Sequence, residues 1–291
     1  MNYRVIHRTE YEYSDSANVC HNLAHLSPRQ DAGQRCNSHF LSVVPQPSLL
    51  DERIDHFGNR TFYFSIEKPH RTMVVTATSL IDTQARNNTA HSASSWKTFG
   101  AELDGRPPRD QLIAKEFSLE SPLIPRLEQL RHYAEPSFAN HDGILAAAMD
   151  IMRRIFNEYT YDPAFTTLAT PLRDVLEHKR GVCQDFAHLA IGCLRSFGIP
   201  ARYISGYLET QPPPGQAKLV GADASHAWLS VYTPDAGWIE LDPTNNQRPD
   251  NRYIVIGWGR DYSDLPPLKG VIFGGGTHNM KVSVDVEPLN R

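Results

Sequence analysis

Cys183 is the residue of this chain whose type and setting most clearly suit covalent chemistry. It follows Gly181 and Val182 and stands where an apolar pattern of helical period begins. We therefore expect Cys183 in the first turn of a helix. Unpaired backbone N–H groups and the positive end of the helix dipole lower the pKa of a thiol in that position. Such a cysteine is a candidate nucleophile, and the alternative for this residue alone is a small buried side chain.

His226 and Asp242 come later, on two segments that the sequence predicts to form a β-hairpin. The turn signal between the segments is Pro234-Asp235-Ala236-Gly237. If Tyr232 pairs with Trp238, Asp242 becomes the diagonal neighbour of His226 on the same face, with the two Cα atoms about 7–8 Å apart. A regular four-residue loop would put the two side chains on opposite faces. The pattern thus predicts a carboxylate beside an imidazole.

Together the three residues have the types that nucleophilic catalysis at a carbonyl group requires. A thiol nucleophile needs a base to hold it as thiolate and an acid to protonate the leaving group. An imidazole does both near neutral pH, and a carboxylate fixes its tautomer and orientation. The chain order Cys183, His226, Asp242 fits a helix followed by a hairpin in a core of papain-like type.

The elements that must hold these residues change character along the chain. Short β-rich segments such as Tyr3–His7 and Thr9–Tyr13 fill the first 80 or so residues. Helical periodicity then dominates, with predicted helices at 124–134, 142–157, 171–177 and from Cys183 to just before Gly198. Strands are predicted again at 202–208, 227–232 and 238–241 and in a C-terminal tail of strictly alternating apolar residues.

This order predicts an α+β fold: an N-terminal antiparallel, sandwich-like β domain, followed by a papain-like core whose cysteine-bearing helix packs on an antiparallel sheet. We expect the β domain at 1–82, an irregular linker at 83–122 and the core at 123–291, with the C-terminal β tail in the core. The run Gln211–Gln216 is expected to be an exposed loop at the edge of the substrate cleft.

Composition limits the classes of function. The chain has 291 residues, of which 40% are hydrophobic, so a globular core is expected and global disorder is excluded. Its 29 basic and 33 acidic residues give a net charge of −4, which disfavours nucleic acid as a partner. The sequence shows no secretory signal and no apolar stretch long enough to span a membrane. With only four cysteines, we expect a reducing, cytoplasmic setting and no membrane partner.

Two groups of residues have a less specific interpretation. Cysteine and histidine also cluster near the N-terminus, but their spacing matches no standard zinc site, so neither a metal nor another cofactor is expected; these residues are Cys20, His21, His25, Cys36 and His39. Asp185 is expected to cap the helix, His188 to pack away from the face of Cys183, and Cys193 to lie in the core.

Several segments resemble those of bacterial transglutaminase-like proteins. In the second half of the chain these are Gly181–His188, Gly198–Leu208, Ser225–Trp228 and Leu241–Asn245, and in the first half Leu26–Arg29, Asp55–Asn59 and Glu67–His70. The ending, Phe273–His278, is also similar. The resemblance implies Cys183 as nucleophile, His226 as base and Asp242 as the residue that orients it, with a peptide or protein as substrate.

The resemblance leaves the second half of the reaction open. A thioester on Cys183 would be transferred to an amine in transamidation or to water in hydrolysis, and the choice depends on the shape and dryness of the pocket. A cysteine peptidase or amidase on the same core, and a non-catalytic binding or assembly protein that keeps the fold, are therefore alternatives. The sequence carries no signal for the natural substrate or the oligomeric state.

Overall fold

The computed structural model describes residues 1–84, 91–99, 108–167, 170–210 and 225–289. Its strands are β1 Asn2–Ala24, β2 Gln34–Val44, β3 Leu49–Ile54, β4 Arg60–Ile66, β5 His70–Thr83, β6 Thr160–Tyr161, β7 Arg180–Gly181, β8 Ala201–Leu208, β9 Ser225–Thr233, β10 Gly237–Leu241, β11 Tyr253–Gly259, β12 Leu268–Gly274 and β13 His278–Pro288. Its helices are α1 Arg109–Lys115, α2 Glu128–Asn140, α3 Ile144–Glu158, α4 Leu172–His178 and α5 Cys183–Arg195, with 3₁₀ turns at Glu116–Ser118 and Tyr262–Asp264.

The first sheet is built around β1, a single strand where the sequence predicts two short ones. β1 pairs with β5 and β13 along its first half and with β4 and β12 along its second half, all antiparallel. A register shift between Glu12 and Ala17 marks the change of partners. Between these two positions β1 has three more residues than β5. Extra residues of this kind bend a strand, so one long strand can serve both halves of a sandwich-like domain.

The C-terminal tail lies in the first sheet. β13 pairs with β1 from Tyr3 to Tyr13, and β12 pairs with it from Ala17 to Ala24. This pairing corrects the predicted domain division, which assigned the tail to the core at 123–291. Alternating apolar residues indicate a half-buried strand, but they do not indicate which distant strand it will pair with. The other predicted boundaries stay predictions.

The second sheet has the order β10-β9-β8-β11 and packs against the helices. α5 is the central helix, and every residue from Asp185 to Arg195 is buried. Gly192 lies where α2 crosses α5, and a Cβ at this position would lie 2.7 Å from Cδ1 of Leu130, so the leucine side chain would have to shift. The predicted α+β class, with a helix packed on an antiparallel sheet, is confirmed.

Two predictions for the middle of the chain differ from the structure. The expected linker at 83–122 contains α1 and a 3₁₀ turn, whose Ala114 and Phe117 are buried. α2 begins later than predicted, because Pro125 holds the preceding backbone extended and Leu127 is still extended. The Gln211–Gln216 run lies outside the described residues.

Candidate active site

Cys183 is the first residue of α5, as the periodicity predicts. The Asp185 carboxylate accepts a hydrogen bond from Val182 N at 2.8 Å and so closes the first turn. Gly181 allows this contact, since a Cβ there would meet the Asp185 Cβ at 2.8 Å. The predicted capping role of Asp185 is thus confirmed. The thiol, which is only partly buried, stands at the open end of the helix.

The hairpin that carries His226 and Asp242 has the register on which the sequence argument depends. Trp238 pairs with Tyr232 and Gly237 with Thr233, so three residues form the loop. Gly237 adopts a φ of +69°, a conformation that glycine accepts without strain. Asp242 comes directly after the end of β10, and with this register its side chain lies on the same face of the hairpin as that of His226.

His226 lies between the other two residues. Its Nε2 is 2.7 Å from Oδ2 of Asp242, and the thiol of Cys183 is close enough to the same ring to raise its pKa. Because Asp242 engages Nε2, Nδ1 is the ring nitrogen left for the sulfur. The structure thus brings together the three residues singled out from the sequence.

The electrostatics of this cluster favour a charged ring. Burial lowers the pKa of His226, but the hydrogen bond to the Asp242 carboxylate, helped by the neighbouring sulfur of Cys183, outweighs burial and raises the pKa to about 10. Burial likewise acts to raise the pKa of Asp242, yet His226, helped by Asn245 and Tyr253, holds this pKa below its usual value. At neutral pH the pair is an imidazolium and a carboxylate.

Asp242 is fully buried and is fixed by several donors besides the histidine. Its Oδ2 also accepts the Tyr253 hydroxyl and Asn245 Nδ2, both at 2.7 Å. Its Oδ1 accepts the backbone N–H groups of Thr244 at 2.9 Å and Asn245 at 3.3 Å. A buried carboxylate needs such partners, and these fix the direction in which Oδ2 points.

The Trp228 indole packs against one face of the His226 ring. The two rings are stacked with centroids 5.8 Å apart, and the indole Nε1 donates to Glu240 at 2.7 Å. Gly206 on β8 leaves the space for this indole, because a Cβ at this position would lie 2.5 Å from the ring and 2.0 Å from the carbonyl oxygen of Ile254. The position of the ring of His226 thus depends on three strands.

The sequence reasoning missed Tyr253, Asn245 and Trp228 as members of the site. Asn245 and Trp228 lie inside segments that carry the family resemblance, so their presence there was an available signal. Tyr253 stands on β11, a strand the periodicity did not predict, and its contact with Asp242 arises from tertiary packing.

Apart from Asp185, the residues with a less specific interpretation make their contacts outside the cluster. His188 is buried and accepts a hydrogen bond from Tyr262 N at 3.1 Å, and Cys193 is fully buried in the core. Near the N-terminus, Cys20 Sγ lies 3.9 Å from His70 Nε2, while His39 Nδ1 is bonded to Ser79 Oγ. Within the part of the chain that the structure describes, no three metal-ligating side chains group together.

Family models match both halves of the chain. The model of the bacterial transglutaminase-like N-terminal region matches residues 3–82, and that of the transglutaminase-like superfamily matches residues 131–243. The second match contains Cys183, His226 and Asp242.

Individual proteins agree with the family models. An uncharacterized protein of Mycobacterium tuberculosis is 41% identical over 99% of this chain and 93% of its own length. A protein-glutamine gamma-glutamyltransferase of Pseudomonas aeruginosa is 30% identical over 128 residues, which are 43% of this chain and 19% of that protein. A Cytophaga hutchinsonii structure, assigned provisionally to the cysteine proteases, has a TM-score of 0.75 at 22% identity, covering 100% of this chain and 92% of that one. The last likeness shows the fold.

Among the described residues, no helix has the length and apolar character that crossing a membrane would require.

Proposed function

Since the chain belongs to the transglutaminase-like superfamily, we propose that it is a thiol-dependent enzyme that acts on amide bonds of a peptide or protein, with Cys183, His226 and Asp242 as its catalytic residues. The observation that carries this proposal is the position of the His226 ring. It is hydrogen-bonded to a buried carboxylate and lies beside the thiol at a helix N-terminus.

In the first half-reaction, Cys183 attacks the carbonyl carbon of a carboxamide or peptide group as a thiolate, its proton being held on His226. The carbonyl oxygen becomes an oxyanion, for which the backbone N–H of Cys183 at the helix start is a suitable donor. His226, charged at neutral pH, then gives its proton to the leaving nitrogen as the C–N bond breaks. Ammonia or an amine leaves, and the acyl group remains on sulfur as a thioester.

In the second half-reaction, the thioester is resolved by an incoming nucleophile. Acylation removes the contribution of the Cys183 sulfur to the raised pKa of His226, so the ring becomes a better proton acceptor. It takes a proton from an amine or a water molecule, which attacks the thioester carbon. The C–S bond breaks and Cys183 is released. An amine gives a new amide, whereas water gives a carboxylate.

We propose acyl transfer to an amine as the first candidate for the second half-reaction. The Pseudomonas relative, named for the transfer of a γ-glutamyl group, supports this choice. Hydrolysis by a cysteine peptidase or amidase of the same core is the competing reaction. The two differ only in the final acceptor.

The experiment is incubation of the full chain with a glutamine peptide and a lysine peptide, followed by mass spectrometry. Joined peptides that have lost ammonia indicate transamidation. Conversion of glutamine to glutamate indicates deamidation, and a cut backbone indicates a peptidase. The Cys183→Ala variant should give none of these products, whereas Cys193→Ser, at a buried thiol outside the site, should retain activity if it folds. If the wild type gives no product and its Cys183 reacts like a free thiol, the chain is a binding protein instead.

The cytoplasmic location predicted from the sequence stays a proposal. All four cysteines are free thiols, which suits a reducing compartment.

A further inference from the structure

β11 is the outermost strand of the second sheet, next to β8. An outer strand exposes backbone N–H and C=O groups on its free side, and buried groups of this kind need partners. In this chain the partners come from the N-terminal β domain.

Two buried amide side chains of the N-terminal domain pair with the backbone of β11. Gln34 accepts from Val255 N at 2.7 Å and donates to Val255 O at 2.6 Å. Asn59 accepts from Trp258 N at 3.0 Å and donates to Trp258 O at 2.9 Å. Each amide thus supplies one donor and one acceptor, as a neighbouring strand would.

The spacing of these two contacts is set by a bulge in β11. Backbone groups that face the same side of a regular strand recur at every second residue, whereas Val255 and Trp258 are three apart. The register with β8 shifts between Val255 and Gly257, so one extra residue lies between the two positions. Gly257 is required here, because a Cβ would lie 2.8 Å from Oδ1 of Asn59.

An arginine strengthens the contact at Asn59. Arg29 donates from Nη1 to Oδ1 of Asn59 and lies with Cζ 3.5 Å from the centroid of a Trp258 ring. Arg202 of β8 covers the same indole, with Cζ at 3.7 Å. Trp258 is therefore held between two guanidinium groups, one from each domain.

An apolar cluster fixes the other side of β11 to the same domain. Ile254 and Ile256 of β11 are buried with Tyr3, Val5 and Val286 of β1 and β13, among others. Polar pairing at the edge and apolar packing on the face thus both hold this strand in place.

β11 in turn holds the acid of the triad. Tyr253, two residues before Val255, is fully buried and donates its hydroxyl to Oδ2 of Asp242 at 2.7 Å. The same Oδ2 accepts from His226. A continuous set of contacts therefore runs from Asn59 and Gln34 through β11 to the catalytic histidine.

From this arrangement we propose that the N-terminal β domain positions the catalytic triad, with Asn59 and Gln34 as positioning residues that act through β11 and Tyr253 on Asp242. The proposal rests on the proposed function, because it assigns a role toward the same triad. It gives the N-terminal domain a task in catalysis beyond stabilising the fold. A displacement of about 1 Å in a catalytic group can lower a rate up to about a hundredfold.

The test compares full-length Asn59→Ala and Tyr253→Phe with the wild type. One readout is the proton NMR signal of the His226 Nε2–H, assigned by its loss in His226→Gln, which lies far downfield when the bond to Asp242 is short. The other is the rate of Cys183 alkylation by iodoacetamide near neutral pH. In both variants we expect the signal to move upfield or broaden and the alkylation rate to fall roughly ten- to a hundredfold.

Asn22→Ala is the matched control. Asn22 is also a buried amide of the N-terminal domain, but its Nδ2 contacts Met73 and not β11. We expect this variant to lose stability while it keeps the downfield signal and the wild-type alkylation rate. An equal effect of Asn22→Ala and Asn59→Ala, or no effect of Asn59→Ala in a folded protein, overturns the proposal.

If Asn59→Ala does not fold, Tyr253→Phe still tests the contact between Tyr253 and Asp242, because phenylalanine keeps the aromatic ring in the core and removes only the hydroxyl. A normal signal and rate in this variant would also reject the proposal. If Cys183 is alkylated at the same rate in the wild type and in His226→Ala, the proposed function is refuted instead. Failure of the positioning proposal and failure of the proposed function therefore give different results.

Discussion

His226 combines a largely buried ring with a carboxylate partner and a neighbouring thiol, and this combination decides its chemistry. A buried imidazole whose partners are uncharged titrates lower than in water. His7 contacts only the hydroxyls of Tyr207 and Thr9, and burial lowers its pKa to about 4. In His226 the carboxylate of Asp242 reverses the sign of the shift. In the proposed reaction the ring would therefore enter as an acid, which suits the first half of acyl transfer from an amide.

The first prediction concerns the pH dependence of stability. The pKa of His226 rises from 6.5 to about 10 on folding, so its contribution to stability is complete below pH 6.5 and is lost as pH rises toward 10. The lowered pKa of Asp242 gives a contribution that is present above its usual value of 3.8 and is lost as pH falls. We expect the free energy of unfolding of the wild type to exceed that of His226→Gln most near about pH 5 and least near about pH 10. Urea unfolding of both proteins across this range measures the difference, and a difference that grew with pH would contradict the ion pair.

At the scale of single residues, the sequence predicted that Cys183, His226 and Asp242 meet, because the geometry that brings them together is local. Cys183 depends on one helix start, and His226 and Asp242 depend on one three-residue turn. Tyr253 could not be predicted in the same way. Its hydroxyl reaches Asp242 only because β11 pairs with β8, a long-range contact that no spacing in the sequence encodes.

The strands of the second sheet depend on close approach at a few glycines. Gly206 lies where β8 passes both the Trp228 indole and the carbonyl oxygen of Ile254, and no space remains for a side chain. This strand must keep its place for the indole to support the ring of His226.

The second prediction concerns Gly206→Ala. A Cβ 2.0 Å from a backbone oxygen forces β8 and β11 apart, and we expect the free energy of unfolding to fall by about 3 kcal/mol or more, with loss of activity. Gly143→Ala is the control, since its Cβ would find no atom closer than 3.8 Å. It should cost less than about 1 kcal/mol, the scale of a weakened helix cap. Thermal and urea unfolding measure both effects, and equal stabilities of the two variants would contradict the steric argument.

Elements with strong local patterns were predicted well, and those defined by distant partners were not. α5 has apolar residues at helical spacing and a Gly198-Ile199-Pro200 stop, so both its ends follow from the sequence. The sequence predicted two short strands, Tyr3–His7 and Thr9–Tyr13, within what is one strand, and it missed the rest of β1 because Ser14, Asp15 and Ser16 interrupt the β-rich pattern. Its pairing with four other strands compensates for this weak stretch.

Across the whole molecule, the two sheets share an apolar cluster. Ile254 and Tyr207 of the second sheet are buried against Val284 and Val286 of β13, which the chain reaches last. β13 therefore pairs with β1, and residues of both strands cover this cluster from the side of the first sheet. Only the tertiary structure reveals this pairing, since a tail of alternating valines fits either sheet.

The third prediction follows from this shared cluster. Val286 is fully buried, so Val286→Ala should lower the free energy of unfolding by about 2 kcal/mol. The cavity that Val286→Ala leaves adjoins both sheets. The two sheets of this variant should therefore still unfold in one calorimetric transition, at a lower temperature than in the wild type. Val282→Ala is the control on the same strand: its side chain is 45% exposed, and its effect should stay within about 0.5 kcal/mol. The contradicting outcome is two separate transitions, of which Val286→Ala shifts only the one in which β13 separates from β1. This result would show that the sheets unfold independently and that the shared cluster does not couple them.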